Sequence, residues 1–239
     1  MEAFEGLILK QINFKESSKI LYIYTEKGQM SLLVHGAKKL SSPFLNLTQN
    51  LTLIKFYATG KALKTLTDGE ILTDYRKIKT DLEKFTYVQH LMEIINYFSE
   101  SEYDHQKLYT FLKKILSHIE NETHYIRYVY MFELKYLYLL GVAPNFNVCS
   151  ACGVTDNLQF AVKDGGYACK IHATANSGVS HASVAVMKQI YYHDLKTVLD
   201  LKPDPDIRRE IRLFLDEYYL YHLNFTSKSR TILSGLLGY

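Results

Sequence analysis

Cys149-Ser-Ala-Cys152, then sixteen residues, then Cys169-Lys-Ile-His172: this stretch contains every cysteine of the 239-residue chain, and its reading decides how the rest is divided. Two pairs of soft ligands joined by a loop of this length can close a tetrahedron around Zn²⁺, which takes thiolate and imidazole donors. Gly153 after the first pair and Gly165-Gly166 before the second supply the permissive backbone that lets amides turn toward sulfur. Four ligands fill the coordination sphere, so the metal expected here is structural; a catalytic zinc keeps one position open for water. Three cysteines cannot pair completely, and the opening Met1-Glu2-Ala3-Phe4-Glu5 lacks the basic region of an export signal, so a disulfide framework is disfavoured and a reducing, cytoplasmic setting is expected.

Outward from this stretch the chain changes character. Hydrophobic residues make up 47% and charged residues 22%, enough for a sizeable core with an ordinary soluble surface. No run of about twenty apolar residues occurs, so no membrane contact is expected. The net charge of +3 is unevenly spread: residues 1–80 carry 12 Lys and Arg against 7 Asp and Glu, residues 81–148 carry 6 against 9, and residues 149–239 carry 10 against 9. The excess sits at the front, where it would draw a polyanion.

That front segment reads as β. Short apolar runs at 4–11, 20–25, 30–35, 47–57 and 62–73 are divided by turn signals, among them Lys27-Gly28, where a tight hairpin needs positive φ. Five short strands with imperfect alternation, both faces being partly covered, suit a small closed barrel of the OB type. Lys10, Lys15 and Lys19 fall on the first strand and the turn after it, Lys38 and Lys39 follow the third strand, and Lys61 and Lys64 flank the last hairpin. Loops at these places are where OB folds grip oligonucleotides; Tyr22 and Tyr24 are candidate stacking surfaces. The bland alternative is a solvated lysine face over an aromatic interior, which for single residues is the commoner fate.

From residue 80 the period becomes helical. Thr80-Asp81-Leu82-Glu83 fits a capping box, followed by a stripe through Leu82, Phe85, Val88, Met92 and Ile95. Further helices are expected near 105–119, 123–140, 183–200 and 205–224, the one over 123–140 so rich in tyrosine that it belongs at the centre of a bundle. The organisation expected is α+β: a barrel domain over 1–78, then a helical domain over 79–239, interrupted by the zinc-binding loop at 145–180. Arg208, Arg209 and Arg212 form a possible second basic patch, though a solvated helix face explains them as well.

Catalytic signatures are missing. There is no G-x-x-x-x-G-K-S/T loop, no G-x-G-x-x-G and no G-x-S-x-G elbow. His118-Ile119-Glu120 ahead of Cys149-x-x-Cys152 loosely matches a zinc-deaminase pattern, but no proline precedes Cys149, and Cys169 with His172 would overfill such a site. Asp204 in Pro203-Asp-Pro-Asp206 is better placed to cap a helix than to catalyse. Binding, not turnover, is what these residues favour: either nucleic-acid binding or, as a competing class, a protein–protein adaptor.

Several segments, in this order and spacing, resemble the RecO family of bacterial recombination mediators. They are Glu5-Gly6-Leu7-Ile8-Leu9-Lys10, the Lys27-Gly28 hairpin, Val34-His35-Gly36-Ala37-Lys38-Lys39, Leu139-Leu140-Gly141-Val142-Ala143-Pro144 before Cys149, Gly165-Gly166-Tyr167-Ala168-Cys169, and Tyr219-Leu220-Tyr221-His222-Leu223 before Lys228-Ser229-Arg230. The resemblance implies a non-catalytic DNA repair protein that binds single- and double-stranded DNA and anneals strands. It also implies work with RecR, recognition of the acidic tail of single-stranded DNA-binding protein, help in loading RecA, and a place beside the nucleoid. It puts Lys38 and Lys39 on the DNA-binding segment and the zinc positions at Cys149, Cys152, Cys169 and His172. Histidine stands where the family frequently has a fourth cysteine; imidazole remains a good zinc ligand.

Overall fold

A computed structural model describes residues 3–60, 63–101, 103–174 and 178–237. The chain divides into two compact units, one of residues 1–121 with 229–239 and one of residues 122–228. The period change at residue 80 is therefore a change of secondary structure, while the first three helices keep company with the barrel.

In the first unit, β1 (Ala3–Phe14), β2 (Ser18–Thr25), β3 (Gly28–Val34), β4 (Leu53–Thr59) and β5 (Lys64–Thr73) close into a barrel of order β1-β2-β3-β5-β4. All pairings are antiparallel except β3 with β5, which run parallel through Leu32↔Lys64 and Leu33↔Thr65. Gly28 at φ +98 makes the β2–β3 turn that Lys27-Gly28 foretold. Ile8, Leu21, Ile23, Leu32, Ile54 and Phe56 fill the interior. Gly6, Leu7, Ile8 and Leu9 are buried in succession, because the outward face of β1 is covered as well as the inward one. The expected fourth strand began at Leu47, but residues 44–50 coil through helix-like turns, with Thr48 N–H donating to the Phe44 carbonyl and Leu51 at φ +54. Leu47 and Leu51, four apart, both reach the core from that coil.

Helices α1 (Arg76–Thr80), α2 (Leu82–Tyr97) and α3 (His105–Asn121) follow. Asp81, not Thr80, caps α2, its carboxylate accepting from Lys84 N–H at 3.1 Å. Thr80 is unavailable because it closes α1, donating its hydroxyl to the Arg76 carbonyl. The C-terminal residues return to this unit through α7 (Lys228–Leu237), where Ser229 Oγ donates to Glu93 and Arg230 Nε lies 3.2 Å from His90 Nε2.

The second unit holds α4 (Ile126–Leu139), β6 (Leu158–Ala161), β7 (Gly166–Cys169), α5 (His181–Tyr192) and α6 (Pro205–Leu223). As its tyrosines implied, α4 is buried nearly all round, from Ile126 through Leu137. Asp204 does cap α6, accepting from Ile207 N–H at 2.9 Å. The fourth expected helix stops at Tyr192 rather than Asp200. Past it, the Asp194 carboxylate takes the Lys196 amide and Thr197 folds back onto the Asp194 carbonyl, a local turn that outcompetes another helical turn. Among the described residues no helix is long and apolar enough to cross a membrane.

Candidate metal centre and candidate nucleic-acid interface

The stretch expected to be an irregular loop is built around a β6–β7 hairpin, with Phe160↔Tyr167 and Ala161↔Gly166 in register. Gly165 and Gly166 serve that hairpin rather than a ligand turn. A Cβ on Gly166, at φ +116, would sit 2.4 Å from Asn145 N, where that residue's backbone runs alongside the strand. Aromatic contacts seat the hairpin: Phe146 stacks on Phe160 at 5.3 Å, and Phe160 meets Phe214 of α6 at 5.4 Å. His222 Nε2 and the Val162 carbonyl, 2.8 Å apart, tie the same helix to the same hairpin.

At the end of the hairpin the four expected ligands converge. The three sulfurs and one ring nitrogen all lie within 4.8 Å of one another. Cys152 Sγ is 3.8 Å from Cys169 Sγ, and His172 Nδ1 is 3.8 Å from Cys149 Sγ and 3.3 Å from Cys169 Sγ. Bonds of about 2.3 Å to sulfur and 2.0 Å to nitrogen put tetrahedral edges at about 3.5–3.8 Å, so this donor set could close on a metal ion with shifts of about an ångström or less. Each pair sits on a tight turn: Gly153 N–H donates to the Cys149 carbonyl, and the His172 and Ala173 amides donate to the Cys169 carbonyl. Backbone amides, that of Cys169 foremost, draw the Cys149 thiol down to about 6. Burial opposes the same change at Cys169, but the Ile171 and His172 amides outweigh it and lower that thiol too. Thiolates are the metal-binding form, so these amides favour ligation at neutral pH. All four positions are filled by protein, which suits a role in ordering the hairpin.

The barrel lysines separate into those with acidic partners and those without. Lys55, Lys79 and Lys113 pair with Glu70, Asp74 and Glu5. Lys10, Lys15, Lys19, Lys38, Lys39 and Lys64 make no ion pair among the described residues. Four of these converge. Lys38 N–H donates to the Ser17 carbonyl, and Lys38 Nζ reaches the Lys15 carbonyl at 3.5 Å, which brings the Gly36–Lys39 turn onto the β1–β2 turn. Lys19, beside them, is buried and its Nζ lies 3.5 Å from Thr48 Oγ1; burial first, and then the Lys38 charge, lower its pKa. Lys15, Lys38 and Lys39 are exposed. Lys10 stands 4.3 Å over the Tyr22 ring, its direct neighbour in the β1–β2 register. Lys64 stands over Phe4, which Lys27 also approaches. Sequence marks Lys27 only as a turn residue, because nothing in local spacing joins it to Phe4. Lys61 lies outside the described residues.

Two expectations change. Tyr24 is fully buried, its hydroxyl 2.9 Å from His105 Nδ1 and its ring edge-on to the same imidazole, so it offers no face to a base. The three arginines are not a patch: Arg209 is exposed, but Arg208 is half-buried and Arg212 is among the largest fully buried side chains.

Comparison with known proteins places this architecture. The family model described as "Recombination protein O N terminal" matches residues 1–75, and "Recombination protein O C terminal" matches residues 79–231. A protein named DNA repair protein RecO from Oceanobacillus iheyensis is 30% identical over 242 residues, covering 99% of this chain and 94% of its own. Proteins of the same name from Halalkalibacterium halodurans and Exiguobacterium sp. are 27% identical over 238 residues and 26% identical over 249 residues. They cover 97% and 99% of this chain, and 94% and 97% of their own lengths.

Proposed function

This chain belongs to the RecO family of DNA repair proteins, and from that premise we propose that it is a non-catalytic mediator of recombination that binds single- and double-stranded DNA through its barrel and anneals complementary strands. The observation that carries the reading is the meeting of Lys15, Lys38 and Lys39 beside buried Lys19, with no carboxylate paired to any of them among the described residues. Like charges held this close destabilise one another, and a phosphate backbone relieves the repulsion while releasing its own condensed counterions. Tyr22, held under Lys10, supplies an aromatic face on the same barrel. Two strands drawn to one such surface lose much of their mutual repulsion, which is the physical content of annealing.

In this reading Zn²⁺ is the ion at Cys149, Cys152, Cys169 and His172, where thiolate softness and tetrahedral spacing favour it. It supplies structural cross-linking. RecR, the acidic tail of single-stranded DNA-binding protein and, indirectly, RecA are the partners that family membership suggests, with work in the cytoplasm at the nucleoid.

The test is oligonucleotide binding across a salt series. Lys38→Ala with Lys39→Ala should weaken binding and flatten the log–log salt slope by about 0.7 for each lost single-strand phosphate contact. Unchanged affinity and slope would remove the barrel site, and salt-independent or undetectable binding by the unaltered chain would favour the adaptor class.

A further inference from the structure

From Lys27 to Thr67 the chain contains six lysines and no Asp or Glu. The segment joining β3 to β4 lies within this stretch and gives one large apolar side chain to solvent. Leu40 is 91% exposed, more than any other large hydrophobic among the described residues. Single exposed leucines are ordinary. What sets this one apart is how it is held and what surrounds it.

Ala37 is buried in the barrel core and Phe44 packs against that core, so the residues between them are anchored at both ends. Within the span, Lys39 N–H donates to the Gly36 carbonyl at 3.0 Å, Ser42 N–H to the Lys39 carbonyl at 2.9 Å and Phe44 N–H to Ser42 Oγ at 3.2 Å. Leu40 is therefore the second residue of a hydrogen-bonded four-residue turn, fixed outward by the backbone around it. The same turn carries charge. Lys38 and Lys39 precede Leu40, and Lys15 is brought beside them by the 3.5 Å contact of Lys38 Nζ with its carbonyl. None of the three lysines makes an ion pair among the described residues. A nucleic-acid strand meets both halves of this surface, because each nucleotide brings a phosphate for the cations and a flat apolar face for the leucine.

We propose that Leu40 is a wedge residue: when Lys15, Lys38 and Lys39 hold the phosphates of a single strand, its side chain enters between two adjacent bases and unstacks that step. Leucine is among the side chains that proteins insert between base steps. The proposal rests on the lysine interface put forward above and adds what phosphate contacts do not supply, since those position a strand without acting on its bases. Burial of the leucine offsets the stacking it breaks, so affinity changes little while base geometry changes much. A strand unstacked at the turn loses its own helical order there, and its base edges are open to a complementary strand. Annealing needs that opening as well as charge neutralisation.

The experiment titrates the full chain into an ethenoadenine oligonucleotide, whose fluorescence rises as its bases unstack, beside anisotropy of a fluorescein-labelled dT oligomer across a salt series. The unaltered chain should raise the fluorescence to a plateau. Leu40→Gln should lower that plateau, with affinity within about threefold and the salt slope unchanged, because the apolar gain and the stacking loss disappear together. Leu40→Met, apolar and of similar volume, should keep the plateau. Lys38→Ala with Lys39→Ala should need more protein to reach it. An undiminished plateau with Leu40→Gln overturns the wedge and leaves Leu40 to a protein contact; a plateau lost equally in Leu40→Met overturns it too. Salt-dependent binding by the unaltered chain with no rise in fluorescence overturns the wedge while the lysine interface stands, an outcome that depends on no variant folding. If no oligomer binds, the DNA-binding reading and the wedge fall together.

Discussion

Three lysines of the barrel and one arginine of the second unit carry the same formal charge and sit in opposite circumstances. Lys15, Lys38 and Lys39 are exposed with no carboxylate paired to them among the described residues. Arg127 is buried, bound to the Glu122 carboxylate and donating to the Leu201 carbonyl at 3.0 Å, while Tyr128 donates to the same Glu122. The sulfur and imidazole groups of the second unit are likewise gathered on one another. What the difference teaches is that a polar group turned toward its own chain is part of the structure, whereas one left without a partner is available to a ligand.

The sharpest way to break this comparison is at the metal ligands. In the proposed reading an ion held there orders the hairpin, and Cys169→Ser removes one of its four donors. Metal content should fall from near one equivalent to near zero, and amides of residues 145–173 should lose hydrogen-exchange protection, a loss on the order of 5 kcal/mol or more given the binding energies of structural zinc. Full protection in a metal-free variant would show that the Phe146, Phe160 and Phe214 contacts suffice alone.

The next effect compares the two cation classes directly. Arg127→Met should destabilise the chain by about 3 kcal/mol, since it leaves a partly buried carboxylate without its guanidinium. Lys38→Met should change stability by no more than about 0.5 kcal/mol, as exposed substitutions do. Denaturant titration of both variants decides it: equal losses would erase the distinction.

Much of this distinction is invisible in sequence, for a definite reason. The convergence of Cys149, Cys152, Cys169 and His172 was legible because both pairs lie on tight local turns, so spacing alone fixes where the atoms go. The barrel was legible because each strand is bounded by a turn signal such as Lys27-Gly28. The burial of Tyr24 and Lys19 was not legible because what covers them comes from elsewhere in the chain: His105, 81 residues on, for one, and Thr48, 29 residues on, for the other. The convergence of Lys15 with Lys38 has the same long-range origin. Short elements fared worst: α1 has five residues and β6 and β7 four each, too few to show a period. Helix α7 was missed in a segment read only for its resemblance.

The smallest effect tests the comparison inside the first unit, between a lysine that is paired and lysines that are not. Lys113 lies 2.5 Å from Glu5, which also accepts from Tyr109 Oη at 2.8 Å. Burial raises the Glu5 pKa, but the hydrogen bonds from Lys113 and Tyr109 outweigh it and leave the carboxyl below its ordinary value. A carboxyl depressed in the folded state contributes stability above its unfolded pKa and loses it as pH falls through the folded one. Lys113→Ala should therefore flatten the fall in stability between about pH 5 and pH 3, by less than about 1 kcal/mol because both side chains are well exposed to solvent screening. Its oligonucleotide salt slope should match that of the unaltered chain, because Lys113 is already neutralised by Glu5. A slope flattened as far as by Lys38→Ala would mean that an internal partner does not withdraw a lysine from DNA, and the division between the two classes of cation would fail where it is easiest to measure.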